Sequence, residues 1–214
     1  TDTTNTPYAD YPVPGTEYRK LYLGDDATLG STAPASTSSV SYDSAAGSTT
    51  FTITFDEDTT LVGYPKARLY ASAEEADDID LFVLVEKLDA DGTPLVPSDI
   101  AAQAYFPAPP PGSPGRLRVS MRATDPELST DFNPVYALSK AEPIEPGEVV
   151  AVDVAILPIS MRWHAGQQLR FTIAGRPIRD DAISDDLATI NRGATTVHVG
   201  GATASYLQLP VVAS

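Results

Sequence analysis

Apolar residues in this chain recur at every second position, in short runs broken by proline and glycine, and no other feature narrows the fold as much. In Thr50-Phe51-Thr52-Ile53-Thr54-Phe55 the threonines alternate with aromatic and aliphatic side chains. The same period returns with Leu117, Val119 and Met121 against Arg116, Arg118, Ser120 and Arg122. It is repeated by Val150, Val152, Val154 and Ile156, and by Leu169, Phe171 and Ile173. Successive side chains of a strand point to opposite faces, so a period of two means one dry face and one wet face. No segment carries a helical period over several turns, and 14 glycines with 19 prolines in 214 residues leave little room for long helices.

Other runs complete the pattern. Glu17 to Leu23 reads as a strand, and short strands are expected around Val197 and Leu207. Ile79 to Val85 is apolar on both faces and too short for an average helix, which predicts a strand in the middle of a sheet. Asp89-Ala90-Asp91-Gly92 closes that strand with an Asp-Gly step suited to a tight hairpin turn. Surface loops are expected over Gly30–Ser39, over the proline-rich Phe106–Pro114, and over Gly175–Gly193, where Asp180, Asp181, Asp185 and Asp186 cluster. Many short strands between turn signals predict an all-β jelly-roll β-sandwich. The expected organisation is a linker or extended arm over residues 1–15 and a single sandwich domain over residues 16–214.

Charge excludes some functions. Fourteen basic against 29 acidic residues give a net charge of −15, and such a surface repels the phosphates of nucleic acid and of anionic membranes. No apolar run approaches the ~20 residues of a membrane-spanning helix, which predicts a soluble protein and leaves cytoplasm and exterior equally open. There are no cysteines, hence no disulfide, thiolate zinc site or cysteine nucleophile.

Catalytic patterns are missing as well. Gly-x-Ser-x-Gly, whose small residues expose a nucleophilic serine at a sharp strand-to-helix turn, does not occur. Its look-alike, Pro111-Gly112-Ser113-Pro114-Gly115, has the wrong spacing and reads as part of the proline loop. His164 and His198 are the two histidines, and neither lies in a metal-binding or nucleophile-activating pattern. His164 reads as a turn residue after Trp163, and His198 as a residue of a short strand. No cofactor signature is present.

Acidic residues crowd Glu74-Glu75-Ala76-Asp77-Asp78-Ile79-Asp80. Asp77, Asp78 and Asp80 are the candidate ligands for a calcium ion, against the alternative of a solvated loop in which Asp80 binds buried backbone or an arginine. Arg116, Arg118 and Arg122 share one side of the strand pattern, and arginine is enriched at protein interfaces. Trp163 and the ten tyrosines could instead form a sugar-binding platform.

Taken in order, these motifs resemble a known family. Thr60-Leu61-Val62-Gly63, Ala67 to Ser72, Asp78 to Val83 and Leu88 to Gly92 resemble the C-terminal domain of X-prolyl dipeptidyl peptidases and cocaine-esterase-type (CocE/NonD) acyl hydrolases. The resemblance continues through Leu117 to Arg122, Pro146-Gly147-Glu148 and Ala165 to Phe171. It closes with Asn191-Arg192-Gly193, Val197 to Gly201 and Ser205 to Val212, and so covers the chain from about Tyr11 onward. Many members have Gly-His where this chain has Gly166-Gln167, so no substrate-lining residue is carried over.

The resemblance implies a galactose-binding-like jelly roll without catalytic residues. It implies a serine-histidine-aspartate triad in an α/β-hydrolase catalytic domain of the same parent chain, against which the jelly roll packs and whose cleft it helps to wall. Homo-oligomerisation through the parent is left open. Tyr105, Phe106, Trp163 and His164 are the candidate contacts to that catalytic domain. The competing expectation is a free-standing carbohydrate-binding module, since the fold alone does not decide function.

Overall fold

The computed structural model describes residues 6–95, 112–178 and 189–212. Among them run thirteen strands: β1 (Glu17–Leu23), β2 (Leu29–Gly30), β3 (Ser38–Asp43), β4 (Ser48–Thr54), β5 (Thr59–Gly63), β6 (Lys66–Ala73), β7 (Asp80–Leu88), β8 (Ser113–Arg118), β9 (Val150–Ala155), β10 (Ile159–Trp163), β11 (Gln168–Ala174), β12 (Ala194–Val199) and β13 (Tyr206–Val212). No α-helix occurs among the described residues. Every ladder between named strands is antiparallel.

Nine strands form the larger sheet, along β10-β5-β13-β6-β12-β3, with β1 and β2 joined at β13 and β9 paired with β6. The smaller sheet has the order β4-β11-β7-β8. The two face each other across one apolar core, as the alternation requires of half-dry strands. Phe51, Phe171 and Val85 lie in one cross-strand row of the smaller sheet, and all three are fully buried. Opposite them the larger sheet contributes Leu61, Leu69, Val152, Val154, Val197 and Leu207 to the same cluster. The arrangement is a jelly-roll-like all-β sandwich.

β7 occupies an interior place in its sheet, between β11 and β8, and is buried on both faces, with Leu84 as inaccessible as Leu81 and Val85. Its apolar run needs no alternation for that reason. The turn after it forms as the Asp-Gly step predicts: Gly92 takes φ +82°, and the Asp89 amide donates to the Thr93 carbonyl at 2.9 Å.

Two expectations need correction. The alternation from Leu117 to Met121 is not one strand: β8 ends at Arg118, and Val119–Met121 form a 3₁₀ turn. Its Val119 amide hydrogen-bonds the Ile79 carbonyl at 2.8 Å, so Val119 is buried by a local turn rather than by a continued ladder. The proline loop is also shorter at its end than expected, because Ser113 and Pro114 already belong to β8, opposite Val85 and Leu84. Before them, residues 96–111 lie outside the described structure.

Candidate functional site

The acidic cluster resolves into a structural lock. Asp80 opens β7 and faces Arg118 across the β7–β8 ladder. The guanidinium meets it in a two-pronged pair, Nε to Oδ1 at 2.8 Å and Nη2 to Oδ2 at 2.9 Å, and the Ile190 amide adds a third donor at 3.1 Å. The carboxylate beside Arg118 raises the arginine's pKa further. Asp78 Oδ1 accepts the Ile79 and Ser120 amides at 2.9 and 2.8 Å. Asp77 is exposed, 3.9 Å from Arg192. The three carboxylates therefore turn to different donors, and a guanidinium stands where a calcium ion would need their oxygens. No group of three or more metal-capable side chains occurs among the described residues.

Trp163 is not an interface residue. It is fully buried in the chain's own core, its ring 5.7 Å from that of Phe55 and its indole N–H donating to the Gln168 carbonyl at 2.9 Å. A large ring at the end of β10, with its single donor satisfied internally, packs the sandwich instead of a partner. His164 begins the turn to β11, where the Gln167 side chain accepts its amide at 2.8 Å and Gly166 takes φ +86°. Its ring Nδ1 lies 3.2 Å from Asp58 Oδ2. Asp58 also accepts the Ala165 amide at 3.0 Å and Arg162 Nη2 at 2.7 Å. Those donors, the Ala165 amide foremost, hold the Asp58 carboxyl at about 2. Tyr105 and Phe106 lie outside the described residues.

Sequence spacing gave no hint of a serine-histidine contact, yet the fold makes one. Ser72 on β6 and His198 on β12 sit 126 positions apart and share a hydrogen bond of 2.9 Å, Oγ to Nε2. Thr196 is the residue directly opposite Ser72, so the pair is a diagonal across the β6–β12 ladder. Burial lowers the His198 pKa and favours the neutral ring. A nucleophile needs access to its substrate and an acid to orient its base. Ser72 is only 4% accessible, and no carboxylate reaches the His198 ring among the described residues. The contact ties two strands together. Ser113 is no nucleophile either, since it is buried as the first residue of β8.

What the fold does build is a cavity at the seam between the two sheets. Gly115 on the edge strand β8 bridges to Ile156, just beyond β9, and the Leu157 amide donates to the Pro114 carbonyl at 2.9 Å. Strand and link approach so closely that a Cβ on Gly115 would lie 2.4 Å from the Ala155 carbonyl oxygen. Beside this joint opens a cavity of about 510 Å³, walled chiefly by Tyr64, Phe82, Ile156, Leu157, Pro158 and Ile178, with Arg116 and Asn133 as polar members. Leu157 is 59% exposed. Tyr11, itself half exposed, sets its ring 5.7 Å from that of Tyr64 at 78°, so the apolar surface extends past the cavity mouth.

The three arginines grouped by the sequence part company here. Arg118 holds Asp80, and Arg122 bonds the Val119 carbonyl and approaches Glu142 at 3.8 Å. Arg116 is exposed and has no carboxylate partner among the described residues, and the same is true of Arg176, next to the cavity-lining Pro177. Each of the other described arginines lies within 3.9 Å of a carboxylate.

No helix among the described residues is long and apolar enough to cross a membrane. Comparison with known proteins gives the context. A CocE/NonD family hydrolase from Staphylococcus aureus superposes with a TM-score of 0.88 at 29% identity, over 97% of this chain but 39% of its own. An aminopeptidase from a marine sediment Thaumarchaeota archaeon has the same fold, with a TM-score of 0.66 at 16% identity, over 96% of this chain and 38% of its own. So has an α-amino acid ester hydrolase, at 0.60 and 15%, over 91% of this chain and 36% of its own. This chain thus spans well under half the length of those proteins. No curated protein sequence matches it. Residues 1–208 match the X-Pro dipeptidyl-peptidase C-terminal non-catalytic domain family, and the chain belongs to that family.

Proposed function

We propose that this chain is the non-catalytic C-terminal domain of a larger serine hydrolase acting on ester or N-terminal peptide substrates, and that it packs on the α/β-hydrolase domain and helps to wall its active-site cleft. In this reading residues 16–214 form the packing unit and residues 1–15 the linker. One observation carries it: a match of residues 1–208 to a non-catalytic C-terminal family, in a chain that spans only 39% of a CocE/NonD hydrolase of the same fold. Two features agree. The described residues hold no nucleophile with an oriented base, and an apolar cavity with the exposed Leu157 opens at the sheet seam.

The test is the coding region upstream of Thr1, followed by assay of the uninterrupted gene product. The expected result is a hydrolase domain bearing Gly-x-Ser-x-Gly, and ester or dipeptidyl turnover abolished by a serine-directed phosphonate. An upstream region without such a domain overturns the proposal.

A further inference from the structure

We propose that the seam cavity is the docking socket for the hydrolase domain, and that the segment it receives presents an apolar side chain with a carboxylate beside it, the carboxylate pairing with Arg116. The proposal rests on the functional reading above and assigns its contact surface. Two independent properties converge on this place.

The first is shape and polarity. About 510 Å³ of mostly apolar space suits one or two inserted side chains, and Leu157 and Tyr11 carry the apolar surface beyond the mouth. A small free ligand would leave that outer surface uncovered, whereas a protein segment would bury both. The second is charge. In a chain with 29 acidic and 14 basic residues, a guanidinium finds a carboxylate almost anywhere on the surface. Of the two described arginines that do not, Arg116 lines this cavity and Arg176 directly precedes its lining residue Pro177 in the chain. Arginine offers a carboxylate two parallel N–H donors, which makes an unpaired arginine at an apolar rim a recognition element. A second copy of the chain, at −15, meets long-range repulsion that a partner domain need not share.

The absence of cysteine supplies a clean probe. Leu157→Cys introduces the chain's one thiol at the socket, and Leu128→Cys introduces one at a site 64% exposed and away from the cavity lining. Maleimide labelling is followed by mass spectrometry of the peptide, in the isolated chain and in the uninterrupted gene product. Both positions are expected to label readily in the isolated chain. In the gene product, labelling at Leu157→Cys is expected to slow about tenfold or more, the factor that 1.4 kcal/mol of burial carries, while Leu128→Cys is unchanged. Adding Arg116→Glu, or Arg176→Glu should the first variant fold poorly, is expected to restore labelling at Leu157→Cys.

Protection at Leu128→Cys with none at Leu157→Cys overturns the socket and leaves the functional reading standing. Protection that survives both arginine reversals overturns the carboxylate. Concentration-dependent protection in the isolated chain makes a second copy the occupant and overturns the proposal. A gene product without a hydrolase domain overturns this inference and the functional reading together.

Discussion

Arg118 and Asp80 face each other across β7 and β8 and close a two-pronged ion pair at 2.8 and 2.9 Å, with the Asp80 side chain only 10% accessible. The pair fixes the first rung of the ladder on which Phe82 and Arg116 are the opposed second-next residues, so it also sets the rim of the seam cavity.

Arg118→Ala is expected to cost about 1–3 kcal/mol in chemical denaturation, because it strands a buried carboxylate. The guanidinium is 45% exposed, and solvent screening keeps the loss toward the lower end. Arg19→Ala, which breaks a pair exposed on both sides, is expected to cost less than about 1 kcal/mol. Equal losses from the two variants would show that the lock contributes nothing special.

Because Arg118 and amide donors occupy Asp78 and Asp80, the melting temperature is expected to be the same with and without a chelator. A clear fall on adding chelator would restore the calcium reading at Asp77, Asp78 and Asp80.

Gly115→Ala is expected to destabilise the chain by about 1–3 kcal/mol, since the new methyl must push β8 away from the Ala155 carbonyl 2.4 Å off and loosen the seam. Gly92→Ala serves as the comparison: nothing lies within 4 Å of its Cβ position, so its cost comes only from φ +82°. If Gly115→Ala proves neutral, the two sheets are not clamped at this joint.

Asp58 supplies the pH dependence that can be checked. Its carboxyl is held at about 2 against 3.8 for the ordinary group, so the folded chain binds the proton less readily than the unfolded one. Its contribution is complete above 3.8 and disappears as the pH falls through about 2. Thermal melts of the parent chain and of Asp58→Asn are expected to converge across that interval on acidification. A gap that stays constant from neutral pH to pH 2 contradicts the assignment.

The isolated chain is expected to hydrolyse neither a chromogenic acetyl ester nor a dipeptidyl substrate, and Ser72→Ala is expected to leave the background unchanged. Turnover that survives purification and disappears in Ser72→Ala would turn the Ser72–His198 contact into a catalytic dyad.

The alternation of Phe51 and Ile53 with threonines, and of Leu169, Phe171 and Ile173 with polar neighbours, sufficed to predict strands with one dry face; that they pair antiparallel was decided by the tertiary structure. The two-sided apolarity of Ile79 to Val85 likewise predicted an interior strand. These are local properties: a strand's side-chain period is written in consecutive residues and survives whatever it pairs with. The same local reading took Leu117 to Met121 for one strand, because the period cannot register that the Val119 amide turns away to the Ile79 carbonyl.

Side-chain partners across the fold were settled only by tertiary structure. Arg116, Arg118 and Arg122 look alike in the sequence, and Asp80 was legible as an arginine acceptor without its donor being identifiable. Which arginine meets a carboxylate depends on strand register and on links such as Ile156–Leu157, which bring together residues some forty positions apart. Trp163 was read as a surface contact because an aromatic residue at a strand junction looks the same exposed or buried. Only the packing of Phe55 and the position of the Gln168 carbonyl put it inside. The seam cavity has no signature in the sequence, since its walls come from six separate stretches of chain that meet when two sheet edges close on each other at Gly115 and Ile156.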